Sequence, residues 1–445
     1  MAAASDAARV LDEANVDWTD DPAALEPINL DWTATTRGDA AALARPADAP
    51  AVARLLEAAG SARVAITIQG GRTSLVAGAV PHPGAIAVST ERLRRIVRLE
   101  PATMTVVAEA GVTLADLDAE LEAAGLEVGI DLGSRANATL GGLVATNAGG
   151  QRVVRYGSTA NQLVHVDLVD GLGRTHRRIG RPPKAAGLDT CRFVAGSEGI
   201  YGVITAVALR VHPRPRTRIA IAIGADDFVD LVSLFETLRP LVAPWLEAAE
   251  FVRTADVRSA GLTPPDPHPL LLILQLTSPY PDDDRPLLLA PAHLDAHVAT
   301  DPSQRARLWH LREMLPLLAE RFGTPVKLDV AVPLGALGEL AAHLDLVAER
   351  DEVRATVLFG HLAEGTCHVN LAIAHGADPG PLYETVLTRV AALGGVIASE
   401  HGIGRTKRRW ARLLLDPIDE AALRSLKGIW DPYGIVNPGV LLPDP

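Results

Sequence analysis

Cysteine is almost missing: Cys191 and Cys367 are the only two thiols in 445 residues. That is too few for a disulfide framework or a cysteine-built zinc site, so a reducing compartment is expected. Long apolar runs are missing as well. Nowhere do about 18 uncharged apolar residues follow one another, which speaks against a membrane-spanning helix. The opening MAAASDAARVLDEANVDW carries acids too early for a secretory signal. Excess positive charge is also lacking, and a net charge of −12 disfavours non-specific attraction to nucleic acid or an anionic membrane. There is no low-complexity tract and no short solenoid repeat. What remains is 48% hydrophobic and 22% charged, the balance of a well-packed globular chain. Its length exceeds the roughly 250–300 residues beyond which single cores split. Two domains in a soluble, cytoplasmic protein are expected.

The elements that periodicity suggests are mixed α and β. PADAPAVARLLEAAGSA spaces its apolar residues helically behind Asp48, and RVAITIQ, AIAVST and MTVVAEAG read as strands. TLADLDAELEAAG reads as a helix from Thr113 to Gly125. The stretch from Gly129 to Gly157 is too glycine-rich for a simple helix or strand. VHVDLVDGLGRTHR reads as a hairpin turning at Asp170-Gly171. A proline- and arginine-rich connector, HPRPRTR from His212, is the expected domain boundary. Beyond it, strands such as LLLILQL, KLDVAVP, ATVLFGH and CHVNLAIA alternate with helices including RARLWHLREMLPLLAERF. Several of these strands are hairpin neighbours, which suggests helices laid on an antiparallel sheet, an α+β arrangement.

Four stretches before the connector combine glycine with hydroxyl residues: QGGRTSL, LGSRANATLGG, TNAGG and GSEGIYGVIT. Such loops can turn several backbone N–H groups toward one anion, as a nest for pyrophosphate. QGGRTSL matches neither the P-loop nor the G-x-G-x-x-G pattern, and alone it is as readily a tight turn. Four loops in series suit one extended ligand. In order and spacing, the run from about Ala44 to Val211 resembles the PCMH-type FAD-binding domain of the vanillyl-alcohol oxidase and p-cresol methylhydroxylase flavoproteins. The resemblance implies that Gly70, Gly71, Arg72, Thr73 and Ser74 cradle the pyrophosphate of FAD. It places Gly133, Ser134, Thr139, Gly141, Gly142, Asn147, Gly149 and Gly150 along the flavin and its ribityl chain. Gly202, Val203 and Ile204 would meet the adenine end or the ring edge. Members that bind FAD covalently often carry a histidine where this chain has Arg72-Thr73, so non-covalent FAD is expected.

Near the C-terminal end, FGHLAEGTCHVN reads as two strands joined by a glycine-containing turn. If that hairpin closes, His361 and His368 face each other as cross-strand neighbours, and Asn370 projects from the same face as His368. A catalytic metal wants about three protein ligands, and Glu400 in SEHGIGRTK is the candidate third. His401 beside it is a candidate base. Without other signals, the pair reads more readily as polar residues of a hairpin than as a metal site.

The G-H-x(6)-H-x-N and S-E-H-G-I-G elements together resemble the FAD-linked 2-hydroxy acid dehydrogenases, which include D-2-hydroxyglutarate, D-lactate and glycolate dehydrogenases. The resemblance implies an FAD-binding domain over residues 1–213, with its core at about 40–213. An FAD-linked oxidase C-terminal domain would follow over 214–445, with 399–445 packing back toward the flavin. It implies a divalent metal on His361, His368 and Glu400, zinc first and manganese or iron as alternatives. Arg312 and Lys327 would hold the far carboxylate of a substrate such as D-2-hydroxyglutarate, with Asn370 as a further substrate contact. Pro316 stands where those members have threonine, which leaves D-lactate or glycolate as the other substrate reading. Asn437, in NPG, resembles a terminal motif that returns to the flavin, although Val440 stands where lysine is common. The electron acceptor would be an electron-transfer flavoprotein, a quinone, a cytochrome or oxygen, and a homodimer is compatible. A non-catalytic flavin-binding subunit of a larger complex is the reading from a different class.

Overall fold

The computed structural model describes residues 2–179, 187, 189–283, 285 and 295–444. They divide into two compact units: Met1–Gly149, Ser158–His212 and His401–Pro445 in the first, Gly150–Gly157 and Pro213–Glu400 in the second. The main division falls at the start of HPRPRTR, and the chain re-enters the first unit at His401. Two segments depart from the expected boundaries: His401–Pro445, expected within the C-terminal domain, joins the first unit, and Gly150–Gly157 joins the second. Gly150–Gly157 belongs with the second unit because its helix Val153–Tyr156 packs on the strand Leu246–Arg253, where Arg155 Nη1 donates to the Pro244 carbonyl at 3.3 Å.

In the first unit, Asp48 caps the helix Ala49–Ala62 by accepting the Ala51 N–H at 2.8 Å. The stripe Val52, Leu55, Leu56 and Ala59 is fully buried, and each such Val or Leu contributes about 1.5–3 kcal/mol. It packs with residues of a four-stranded sheet ordered Asp17–Thr19, Ala42–Arg45, Ile86–Ser89, Ile66–Gln69, whose last three strands are parallel. An antiparallel five-stranded sheet follows: Ile96–Glu100, Thr105–Glu109, Gly202–Arg210, Leu163–Asp170, Thr175–His176. The Asp170-Gly171 turn closes its last pair, with Asp170 Oδ1 accepting the N–H groups of Leu172 and Arg174 at 3.0 Å each.

The glycine-rich stretch contains a helix that periodicity misses, Leu140–Thr146. It is too short to show a stripe. Its ends carry the signal: Thr139 caps it through the Gly142 N–H, and Asn147 closes it in the left-handed region at φ 50°.

The second unit is built on a seven-stranded antiparallel sheet. Its order is Ala296–Ala299, Thr217–Ala225, Leu270–Ser278, Leu246–Arg253, Val353–His361, Thr366–Ile373, Thr324–Ala331. One face carries Ala220, Ile273, Val252, Phe359 and Ala372 and buries Leu308 and Leu311 of the helix Pro302–Glu313. The other face includes Phe251, whose ring meets Phe228 of the helix Phe228–Val242 edge to face. Helices on an antiparallel sheet make the α+β class.

RARLWHLREMLPLLAERF is not one helix. The α-helix stops at Glu313, and two 3₁₀ turns, Leu315–Leu317 and Ala319–Arg321, replace its continuation. Pro316 is the cause: it has no N–H to give the Arg312 carbonyl, and its ring clashes with that carbonyl in an α-helix. Among the described residues, no helix is long and apolar enough to cross a membrane.

Candidate functional site

The turn Leu362–Glu364 with Gly365 sets the register of the hairpin. It pairs His361 with Thr366 and Phe359 with His368. The two histidines are therefore diagonal neighbours, not directly opposed as expected. An offset of two keeps both on one sheet face, because side chains alternate with period two. Their Nε2 atoms lie 3.3 Å apart, with rings nearly perpendicular. Glu400 completes the cluster: Oε1 lies 3.3 Å from His361 Nε2 and Oε2 3.8 Å from His368 Nε2. One ligand atom from each of the three residues can be chosen so that all lie within 4.8 Å of one another. Two imidazoles and a carboxylate converging in a buried place fit a zinc-like divalent ion, with coordination positions left open.

Three further acids shape this cluster, and sequence reasoning missed them. Glu250, on the strand beside Val353–His361, is fully buried. Its Oε1 accepts from His361 Nδ1 at 2.5 Å and its Oε2 from Arg312 Nε at 2.9 Å. This orients the imidazole so that Nε2 faces His368 and Glu400, as outer carboxylates orient metal-binding histidines. Burial by itself would raise the Glu250 carboxyl, but the His361 and Arg312 charges outweigh it and hold it below its ordinary value. Burial would likewise lower His361, yet Glu250 and then Glu400 raise it to about 10.

Asp329, opposite His368 in the register, accepts the N–H groups of Ser399 and Glu400 at 2.9 and 2.6 Å and so holds the Glu400 backbone. Glu364, in the turn, is pushed up to about 7 by burial, with Glu250 and Glu400 adding to the rise and His361 opposing it. The available signal for Glu250 and Asp329 was acids in an apolar strand, two in LEAAEFV and one in KLDVAV. A buried acid of that kind must have a partner.

Gly150 was expected beside the flavin. Its N–H donates to Glu400 Oε1 at 2.7 Å, within the second unit. His401 follows Glu400 directly in the chain and is the first residue of the re-entrant segment of the other unit.

Lys327 and Asn370 share the sheet face of the histidines, and Arg312 reaches it from the helix Pro302–Glu313. Arg312 is buried, with its guanidinium over the Phe359 ring at 4.8 Å. Its Nε is taken by Glu250, whereas its Nη groups make no hydrogen bond with the described residues. Asn370 stands opposite Lys327 and donates from Nδ2 to the Pro316 carbonyl at 3.4 Å. Lys327 donates from Nζ to Glu320 Oε1 at 2.6 Å. The departure at Pro316 therefore has two local effects: it breaks the helix and supplies a carbonyl to Asn370.

Apart from Gly150, the glycine loops lie in the first unit. Gly70 and Gly71 press on the second loop: a Cβ on Gly71 would sit 1.8 Å from the Asn137 carbonyl oxygen, and one on Gly70 2.3 Å from Thr139 Oγ1. Arg72, at φ 54°, is exposed, and Thr73 and Ser74 are half-buried. Ser74 Oγ accepts from the N–H groups of Val76 and Gly78 at 3.3 and 3.4 Å. A Cβ on Gly133 would meet nothing within 4 Å, and the neighbouring Ser134 carbonyl accepts from Asn137 and Ala138. Gly141 is pinned by its N–H to the Ala110 carbonyl at 2.8 Å. Asn147 Oδ1 accepts the Ala160 N–H at 2.9 Å, and Gly149 is buried.

Gly202 is explained by strand packing, since a Cβ there would lie 2.1 Å from the Val169 carbonyl oxygen. Val203 and Ile204 are buried beside it, paired with Val169 and Leu168. Asn437 ties three segments together: Oδ1 accepts the Ile68 N–H and Nδ2 donates to the Glu198 carbonyl, both at 2.8 Å. The Glu198 carboxylate accepts the N–H groups of Ile403 and Gly404, at 2.7 Å each, which brings the end of SEHGIG to the fourth loop.

Apart from Gly150 these loops converge within one unit, and Arg72 stands exposed beside the close approach of Gly70–Gly71 to Asn137–Thr139. That geometry fits a long phosphate-bearing cofactor lying against backbone. Gly71→Ala must displace the second loop and is expected to lower FAD retention at least about tenfold, since backbone close approach is glycine's role here. Flavin absorbance after gel filtration measures it.

Comparisons with known proteins bear on both units. A model of the FAD binding domain matches residues 40–178, and one of the C-terminal domain of FAD linked oxidases matches 222–441. The mitochondrial D-2-hydroxyglutarate dehydrogenase of Bos taurus is 30% identical over 443 residues, covering 95% of this chain and 80% of that protein. The D-2-hydroxyglutarate dehydrogenase of Stutzerimonas stutzeri is 27% identical, covering 94% of each. Among solved structures, an alkyldihydroxyacetonephosphate synthase superposes with a TM-score of 0.72 at 17% identity, covering 95% of this chain and 82% of that one, a likeness of fold. The chain belongs to the FAD-linked oxidoreductase family that contains the D-2-hydroxyglutarate dehydrogenases.

Proposed function

We propose that this chain oxidises a D-2-hydroxy acid resembling D-2-hydroxyglutarate to the 2-oxo acid, with FAD and a divalent metal ion as its cofactors. The observation that carries the reading is the convergence of His361, His368 and Glu400 on the sheet face that also bears the open Nη groups of Arg312. Bound FAD supplies a two-electron acceptor, and a zinc-like ion supplies a Lewis acid that lowers the pKa of a coordinated hydroxyl.

The chain's own residues do the rest. His361 and His368, with Glu400, would hold the ion, and Glu250 and Asp329 hold those side chains and that backbone in place. Asn370 orients the hydroxycarboxylate end. Arg312 takes the far carboxylate through its Nη groups, a charge-assisted contact worth about 1.5–3 kcal/mol. His401 Nδ1 or Nε2 receives the hydroxyl proton. An electron-transfer flavoprotein, a quinone or a cytochrome then reoxidises the enzyme.

A second reading, D-lactate or glycolate as substrate, is favoured by one observation: Lys327 is already held by Glu320. The experiment compares anaerobic bleaching of the flavin by D-2-hydroxyglutarate, D-lactate and glycolate, with metal analysis and chelation. The expected result is fastest bleaching by D-2-hydroxyglutarate, about one divalent ion per chain, and loss of bleaching on chelation. Flavin that none of these acids bleaches would overturn the proposal.

A further inference from the structure

We propose that Glu320 is a specificity-determining residue: a carboxylate of the chain itself that occupies Lys327 and leaves Arg312 as the cation open to the far end of a substrate. The inference rests on the hydroxy-acid reading of this site and refines which acids it takes.

Lys327 lies opposite Asn370 and two residues along its strand from Asp329, which stands opposite His368. Its ammonium therefore projects on the face that carries the histidine cluster. A buried ammonium needs a counter-charge, and Glu320 provides it at 2.6 Å. The two partners are unequally placed. The Lys327 side chain is 6% exposed and anchored in the sheet, whereas that of Glu320 is 42% exposed on the second 3₁₀ turn after Pro316. The break at Pro316 turns this segment back toward the sheet, where the Pro316 carbonyl also takes Asn370 Nδ2. One short segment thus engages both Lys327 and Asn370.

A diacid approaching this face meets a cation already neutralised and a second negative charge beside it. It must displace Glu320 into solvent or use the Arg312 Nη groups alone. A monoacid of the same length leaves the Glu320–Lys327 pair intact. Glu320 therefore biases the site against a far carboxylate, and removing its charge hands Lys327 to the substrate.

The test compares D-2-hydroxyglutarate with D-2-hydroxypentanoate, which differ only in the far carboxylate. The ratio of their kcat/KM values is read for the wild-type holoenzyme, Glu320→Gln and the double variant Glu320→Gln/Lys327→Met. Calorimetric binding of 2-oxoglutarate and 2-oxopentanoate gives the same ratio without turnover. Glu320→Gln is expected to raise the diacid-to-monoacid ratio about tenfold, through one charge-assisted bond gained, and the double variant is expected to lose that gain. An unchanged ratio in Glu320→Gln, or a gain that survives in the double variant, overturns the role of Glu320 while leaving the hydroxy-acid reading standing. If neither hydroxy acid reduces the flavin and neither oxo acid binds, the hydroxy-acid reading fails and this inference falls with it.

Discussion

Replacing His368 by alanine is expected to cut flavin reduction by the hydroxy acid at least about a hundredfold while FAD stays bound. The two outcomes separate because His368 lies on the seven-stranded sheet of the second unit, whereas the glycine loops that fit FAD, Gly150 apart, lie in the first unit. The alanine removes one of three donors, and the remaining His361 and Glu400 are too few for a catalytic ion. A bare alcohol then has no group that lowers its pKa. Flavin absorbance after gel filtration should match the wild-type protein, and metal content should fall. Full turnover in this variant, or in protein stripped of metal, would remove the metal from the mechanism.

The second large effect is on stability. Glu250→Ala leaves the Arg312 guanidinium and His361 Nδ1 without their shared buried partner. Breaking a buried ion pair from one side costs about 3–5 kcal/mol. At about 2–4 °C per kcal/mol for a domain of 150–250 residues, melting of the second unit should fall by roughly 6–20 °C. Glu250→Gln keeps the shape and an acceptor and should cost less.

The pH dependence identifies the pair. His361 is raised to about 10 in the folded chain, above about 6.5 when unfolded. Its stabilisation is therefore complete below pH about 6.5 and lost as pH rises toward 10. Glu250 is depressed, so its share is present above its unfolded value and lost as pH falls through the folded one. Chelator-treated wild-type protein should thus lose stability between about pH 6.5 and 10. Glu250→Gln should flatten that slope, and an equal slope in both proteins would show that the pair does not control it.

Elements with a strong local period were legible in the chain. Ala49–Ala62 follows its apolar stripe and its Asp48 cap, and the Asp170-Gly171 turn follows from turn chemistry. Elements decided by a single residue or by contacts elsewhere were harder to read. Leu140–Thr146 is too short for a stripe and is recognisable only from Thr139 and Asn147 at its ends. The helix after Pro302 carries helical periodicity past residue 316, but one missing N–H overrides it. The hairpin register was unreadable because it depends on how many residues the turn absorbs, and a 3₁₀ turn plus Gly365 makes the histidines diagonal.

The family is written in the linear chain, because motif spacing is a property of the chain alone: four glycine loops, then G-H-x(6)-H-x-N, then S-E-H-G-I-G. The sequence also named His361, His368 and Glu400, although the last lies 32 residues beyond His368 and nothing local requires them to meet. Their convergence and the partners behind them arise only on folding. Glu250 and Asp329 carry no motif; each matters through a cross-strand or cross-segment contact with a residue far away in the chain. Burial is the physical reason. A carboxylate becomes a strong orienting charge once water is excluded around it, and water is excluded only when the sheet and its covering segments have closed over the site.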